Sequence, residues 1–221
     1  MKIITAIIPA RSKDPILENK NILPFGDSNL LTHKIRQLKK VDLIDEIIVT
    51  SESEKYLNLA KIEGVKVDLR PDKHSDINAD FGDFLSYIVS KVETKHILWA
   101  PPTSPMIDES DFKNAINKYL EIIDNGYDSL ITTSKLKRHL LDENGPLNFR
   151  FIQSKRNNES LPTLYEFTNG IVIAPKESIL KWKYNWGNMP FKYSVNSFKS
   201  IDICDLVDYE FARHIESIKK K

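Results

Sequence analysis

The sequence predicts an α/β fold on a mostly parallel sheet, and two observations carry that reading. Short apolar runs alternate along the chain with amphipathic ones, the trace of strands joined by crossover helices. A length of 221 residues with 41% apolar and 10% aromatic content suits one domain with a substantial core and room for an appendage.

The elements follow in order. "IITAIIP" (Ile3 to Pro9) is an apolar run of strand length, as are "DEIIVTS" (Asp45 to Ser51), "VKVDLRP" (Val65 to Pro71), "KHILWAPP" (Lys95 to Pro102) and "DSLITTS" from Asp128. Between them lie four helices. Leu31, Ile35 and Leu38 mark the first, and Ser53 and Gly64 cap and close the second. Phe81, Phe84, Leu85, Ile88 and Val92 stripe the third; Phe112, Ile116, Tyr119, Leu120 and Ile123 stripe the fourth, opened by Asp108. After about Ser134 the pattern becomes polar, irregular and rich in cations, which predicts an arm at about 135–165, built as a β-hairpin. "NGIVIAP" (Asn169 to Pro175) and "PFKYSV" (Pro190 to Val195) then read as strands, and Asp205 to Lys219 as a closing helix.

Lys and Arg total 32 against 31 for Asp and Glu, a balance that gives no general pull toward nucleic acid or an acidic membrane. An anionic partner must therefore be met by a local cluster. The single cysteine, Cys204, cannot form an intrachain disulfide, no basic-then-apolar leader stands at the start, and a reducing cytoplasm is the expected home. The longest apolar runs fall far short of the ~20 residues a membrane helix needs. None of the five histidines has metal-ligand spacing, so they are expected at the surface or its boundary.

In an open parallel sheet, ligands bind beyond the carboxyl ends of the strands. The segments to inspect are therefore 9–21, 51–53, 70–80, 100–108 and 200–208. The first, within "IIPARSKDPILENKNI", places Arg11, Lys13, Lys20 and Asn21 directly after a hydrophobic strand, a set suited to a polyphosphate because charged donors offset repulsion among phosphate oxygens.

That segment resembles the IIPARxGSKGxPxKN signature of the acylneuraminate cytidylyltransferase family, the CMP-sugar synthetases. Five further stretches resemble the family in the right order: "IIVTSES", "LRPDKHSD", "PPTSPMID", "ESLPTLYEFTNG" and "SIDICDLVDYEFA". The resemblance implies a three-layer α/β/α Rossmann-like nucleotidyltransferase fold with a small dimerisation arm. It also implies transfer of CMP from CTP to an acidic sugar, a nonulosonic or Kdo-like acid, with loss of pyrophosphate, assisted by Mg²⁺. The expected partners are CTP, a small acidic acceptor and a second copy of the chain, in the service of surface polysaccharide synthesis.

Carried over by position, Arg11, Lys20 and Asn21, with Ala10 and Lys13 of the same loop, would hold the triphosphate. Arg70 would approach the nucleotide, with Ser75 and Asp76 near its base or ribose. Thr103 and Ser104 would shape the floor of the sugar site. Asp202 would be the metal carboxylate, and Arg11, Lys20 and Asp202 the groups acting on the reacting phosphates.

The departures from the pattern sharpen the expectation. "SKDPI" (Ser12 to Ile16) lacks the family's glycines, and Pro15 stands in place of the loop lysine, which leaves Lys13 as the local substitute. The phosphate grip is thus expected from side-chain charge rather than a backbone cradle. Cys204 stands where the second metal aspartate belongs, with Asp205 adjacent as its replacement. Pro101 and Ile107 replace a glutamine and an arginine of the sugar site, which points to an acceptor other than sialic acid itself. Arm cations, among them Arg138, His139, Arg150, Lys155 and Arg156, are candidates to meet an acidic acceptor. Two other readings follow: cytidylyl transfer to a phosphonate or phosphorylated small molecule, and a catalytically impaired homologue that binds nucleotide without turnover.

Overall fold

The computed structural model describes residues 3–150 and 161–219. The chain enters as β1 (Ile4–Pro9), makes a two-stranded hairpin of β2 (Pro24–Phe25) and β3 (Ser28–Asn29), and continues through α1 (Leu30–Lys39), β4 (Glu46–Ser51), α2 (Glu54–Ile62) and β5 (Lys66–Leu69). Next come α3 (Phe81–Ser90), β6 (His96–Trp99), α4 (Glu109–Ile122) and β7 (Ser129–Leu136). A second small hairpin, β8 (Leu141–Asp142) with β9 (Gly145–Pro146), precedes β10 (Leu164–Pro175), α5 (Lys176–Trp182), β11 (Pro190–Val195) and α6 (Leu206–Lys219).

Seven strands form the central sheet in the order β11-β7-β10-β6-β1-β4-β5. β1 pairs in parallel with β4 and β6, β4 with β5, and β7 with β11, while β10 runs antiparallel to both β6 and β7. The reason β1 reads as an unbroken apolar run is that both of its faces are covered. Ile4, Ala6 and Ile8 pack with α1, α2 and α4, and Ile7 packs with α3 and α5 on the opposite side. This is the three-layer architecture that the family resemblance implies, on the mostly parallel sheet that the alternating pattern predicts. α6 lies apart, where Tyr209 and Ala212 pack with Phe25, Leu30 and Met106, and the Tyr209 hydroxyl donates to the Pro24 carbonyl at 2.7 Å.

Local chemistry sets the helix starts. Asn29 caps α1 by accepting from Thr32 N, Asp80 caps α3, and Asp108 with Asp111 forms a full capping box on α4, a cap worth about 1 kcal/mol. Ser53 does occupy the N-cap position of α2, but its hydroxyl makes no cap bond; instead its carbonyl receives the Tyr56 and Leu57 N–H groups. Gly64, at φ +74°, closes that helix in the left-handed conformation that favours glycine.

Two features differ from the sequence expectation. β10 starts at Leu164 rather than Asn169, because Leu164–Phe167 pairs with Leu136–Thr133 of β7 before a register shift between Phe167 and Val172. The segment after Pro175 folds as α5, burying Ile179 against the α3 layer. The β8–β9 hairpin lies inside the segment expected as an arm, while Lys155 and Arg156 fall outside the described residues. β5 and β11 are the outer strands of the sheet; β5 exposes Lys66, and β11 opens with Pro190 and exposes Lys192.

Candidate active site

A cleft of about 320 Å³ opens at the carboxyl end of the sheet, where β1, β5 and β6 hand over to loops. Of the residues singled out from sequence, Arg11, Lys20, Asn21, Arg70, Asp76, Thr103 and Asp202 all line it. They come from four separate loops, brought together because parallel strands deliver their carboxyl ends to one edge.

The β1 loop supplies the first group. Asn21 is buried and donates to the Arg11 carbonyl at 2.8 Å, which ties the two ends of the loop together. Its Oδ1 is buried with no partner among the described residues. Lys20 Nζ makes a 2.9 Å ion pair with Asp14, another cleft residue. Glu52, just past β4, braces the start of the loop by accepting from Ser12 N and Ser12 Oγ at 2.7 Å each. Burial raises the Glu52 carboxyl, but these bonds from Ser12 and Lys13 outweigh it and hold the group below its usual range.

Arg70 is the most confined cation of the cleft. Its Nη2 donates to the Thr50 carbonyl at 2.8 Å, and its guanidinium lies 4.2 Å from the centre of the Phe84 ring. Burial lowers it to about 10, so it remains charged at neutral pH. A buried guanidinium with a stacked face and a fixed carbonyl contact is held in one orientation, as an anion-binding cation should be.

Across the cleft stand Asp202, Thr103 and Asn169. Asn169 adopts φ 52° at the β10 register shift, where the Thr132 hydroxyl accepts the Gly170 and Ile171 N–H groups at 3.0 and 2.9 Å. This bulge turns Asn169 into the cleft. Ile203 N donates to the Thr103 carbonyl at 2.8 Å and fastens the Asp202 segment to the loop after β6. Burial pushes the Asp202 carboxyl above its ordinary value, with Thr103 and Asn169 drawing it partly back, and its Oδ1 has no partner among the described residues.

Other positions lie elsewhere. Ala10 is fully buried with its N–H on the Thr50 carbonyl. Lys13 is exposed and, with Ser75, lines an adjoining cavity between the β1 loop and residues 72–77. Ser104 is buried; its carbonyl, not its hydroxyl, is engaged, accepting from Lys34 Nζ at 2.9 Å. Asp205 does not line the cleft, because its Oδ1 accepts from Val207 N and Asp208 N at the start of α6, while the neighbouring Cys204 does line it. Arg150 is exposed beside Leu147 and Pro162, away from the cleft, and Lys155 lies outside the described residues.

The structure adds residues that sequence reasoning passed over. His74, expected at the surface or its boundary and without a role, is half-buried and lines the cleft with its ring 4.8 Å from that of Tyr87, and burial lowers its pKa. Phe81 and Phe84, read from sequence only as a helix stripe, form an aromatic wall beside it together with Trp99, whose place at the end of the "KHILWAPP" strand run already set it next to the site. Asn169 carried a signal in the sequence, since an Asn-Gly pair inside a strand marks a bulge.

Residues 5–160 match the profile of the cytidylyltransferase family. The N-acylneuraminate cytidylyltransferase of Escherichia coli O18:K1:H7 (strain RS218 / NMEC) is 28% identical over 99% of this chain and 53% of its own length. A pseudaminic acid cytidylyltransferase of Campylobacter jejuni serotype O:2 is 23% identical over 52% of this chain and 52% of its own. The chain thus spans about half the length of these curated relatives. Among solved structures, a CMP:2-keto-3-deoxy-manno-octonic acid synthetase complexed with CTP superposes with a TM-score of 0.75, covering 98% of this chain and 99% of that one at 14% identity, a likeness of fold.

Proposed function

The chain belongs to the cytidylyltransferase family, and on that premise we propose that it moves CMP from CTP to a small acidic sugar of the nonulosonic or Kdo type, releasing pyrophosphate. The observation that carries this reading is the meeting of Arg11, Lys20 and the buried Arg70 in one cleft with Asp202. Cations on one side suit a triphosphate, and a carboxylate facing them suits the metal that accompanies it.

Mg²⁺ fits the residues present. It is commonly bound through one or two carboxylates, substrate phosphates and water, not a protein cage. The cleft offers Asp202 with its unpartnered Oδ1, and no cluster of three or more His, Cys, Asp or Glu that could hold a metal occurs among the described residues. Asp202 would hold the ion, which when bound neutralises phosphate charge. Arg70 and Arg11 orient the nucleotide so that its α-phosphorus faces the acceptor oxygen, and Lys20 meets the charge that builds on the leaving pyrophosphate. Thr103 and Asn169 fix the Asp202 carboxylate. The aromatic wall of Phe81 and Trp99 excludes water from one flank.

The acceptor is an acid other than sialic acid itself. Ile107, at the family's arginine position, is buried in the core and packs on Gly170, so it offers no charge to a sugar carboxylate. We assign the arm to dimerisation, with Arg150 and Lys155 as cations that a partner subunit would direct to the acceptor. The product would serve surface polysaccharide synthesis, and the enzyme would work in the cytoplasm, where CTP is available. No helix among the described residues is long and apolar enough to cross a membrane.

The test is incubation with CTP, Mg²⁺ and a panel of nonulosonic, Kdo-type and phosphorylated acids, followed by pyrophosphate measurement. Release with a carboxylated sugar supports the proposal; release only with phosphorylated acceptors redirects it to that class. Tight CTP binding with no release from any acceptor would leave a nucleotide-binding homologue in its place.

A further inference from the structure

The glycine-free loop after β1 has turned its donors onto its own carboxylates. Asp14 Oδ1 accepts the Ile16 and Leu17 N–H groups at 3.0 Å each, and Asp14 Oδ2 receives Lys20 Nζ at 2.9 Å. Two backbone N–H groups and one ammonium around a pair of anionic oxygens are the reception that an anion-binding loop gives a phosphate. The two side chains are largely shielded, Lys20 at 14% and Asp14 at 11% of full exposure. Burial alone would raise the Asp14 carboxyl, yet the bonds from Lys20, Leu17 and Ile16 hold it below its ordinary value. Asp14 also lines both the cleft and the adjoining cavity, so it stands on the partition between them.

We propose that Asp14 is a resident stand-in for a nucleotide phosphate, and that a polyphosphate must displace it from Lys20 to bind. The identity of the displacing ligand rests on the reading of the cleft as a CTP site; the displacement itself does not. The exchange sets specificity. A ligand with several phosphates outcompetes one carboxylate for Lys20, whereas a nucleoside monophosphate, lacking the outer phosphates, does not contest it. In the same way the carboxylate returns to Lys20 as pyrophosphate leaves, which keeps the loop ordered between turnovers and opposes product retention.

Calorimetric titration of the whole protein with CTP, CMP and inorganic pyrophosphate, for the wild type and Asp14→Asn, tests this. The asparagine keeps an acceptor for the loop N–H groups and loses the charge that neutralises Lys20. The expected result is roughly tenfold tighter binding of CTP and pyrophosphate, with CMP affinity unchanged. Equal or weaker binding of both polyphosphates by the variant overturns the proposal. Should Asp14→Asn fail to fold, Asp14→Ser supplies the same comparison with a neutral acceptor. Failure of the two readings is distinguishable: pyrophosphate tightening without CTP binding removes the CTP assignment and keeps Asp14, and CTP binding without tightening does the reverse.

Discussion

Gly170 lies so close to Ile107 that a Cβ placed on it would stand 2.9 Å from the Ile107 Cγ1 atom. That approach lets the β10 bulge form and presents Asn169 to the cleft. Gly170→Ala is therefore expected to destabilise the protein by about 1–3 kcal/mol through overpacking, read as a lowered urea midpoint. In an Ile107→Ala background, which removes the Cγ1 atom, Gly170→Ala should cost less than it does in the wild type. Full stability in the single variant would show that the contact relaxes freely.

Arg70→Lys keeps the charge but gives up the guanidinium plane that spans the Thr50 carbonyl and the Phe84 ring. CTP binding should weaken by about tenfold or more, with the melting temperature little changed. The check is CTP titration alongside a thermal melt; unaltered affinity would remove Arg70 from the nucleotide site.

Asp202 carries a pH signature. Its carboxyl is raised in the fold above the ordinary 3.8, mainly by burial. The stability it contributes is full below the unfolded value and is lost as pH rises through the raised folded value. Asp202→Asn should thus be more stable than the wild type at neutral pH without ligands, and should lose this pH trend. It should also weaken Mg²⁺-dependent turnover by at least about tenfold. Urea unfolding at pH 4 to 7 and pyrophosphate release measure the two effects separately.

Lys34 is fully buried and lowered from 10.5 to about 7, chiefly by desolvation, against the opposing pull of Asp111, Asp108 and Asp202. Between those two values the unfolded chain binds more protons than the folded one, so stability should rise with pH across the interval. Lys34→Met should abolish that slope. It also strips the Ser104 carbonyl of its donor, a cost of about 1–3 kcal/mol at every pH, so the slope rather than the level is diagnostic. Equal slopes in both proteins, in unfolding series from pH 7 to 9, would sink the prediction.

Periodicity made the parallel half of the sheet legible, because strands covered on both faces leave unbroken apolar runs. It did not reveal the direction of β10, since "GIVIA" buries the same side chains whichever way it runs. Nor did it reveal α5, a short helix of seven residues with one buried residue and no stripe to read. At the site, motif order led to Arg11, Lys20, Asn21, Arg70, Thr103 and Asp202, which line one cleft. Ser104 and Asp205 show the limit of that reasoning. Neither lies in regular structure, so adjacency in the motif does not fix where a side chain points: Thr103 sits in a turn and lines the cleft while Ser104 is buried, and Asp205, at a bend, turns onto the α6 start. His74 lies within "LRPDKHSD" but has no metal-ligand spacing to mark a role, and Phe81 reads only as part of a helix stripe, because their places in the cleft depend on how α3 packs beneath the β5 loop.

The outer strands bear on how the molecule behaves in company. Pro190 withholds a donor at the beginning of β11, the exposed Lys192 sets positive charge along that margin, and on β5 the exposed Lys66 is held in an ion pair with Glu46. A second molecule arriving edge-on finds a broken ladder and must desolvate ammonium groups to extend it. Concentrated solutions should accordingly resist fibre-like self-templating through these edges.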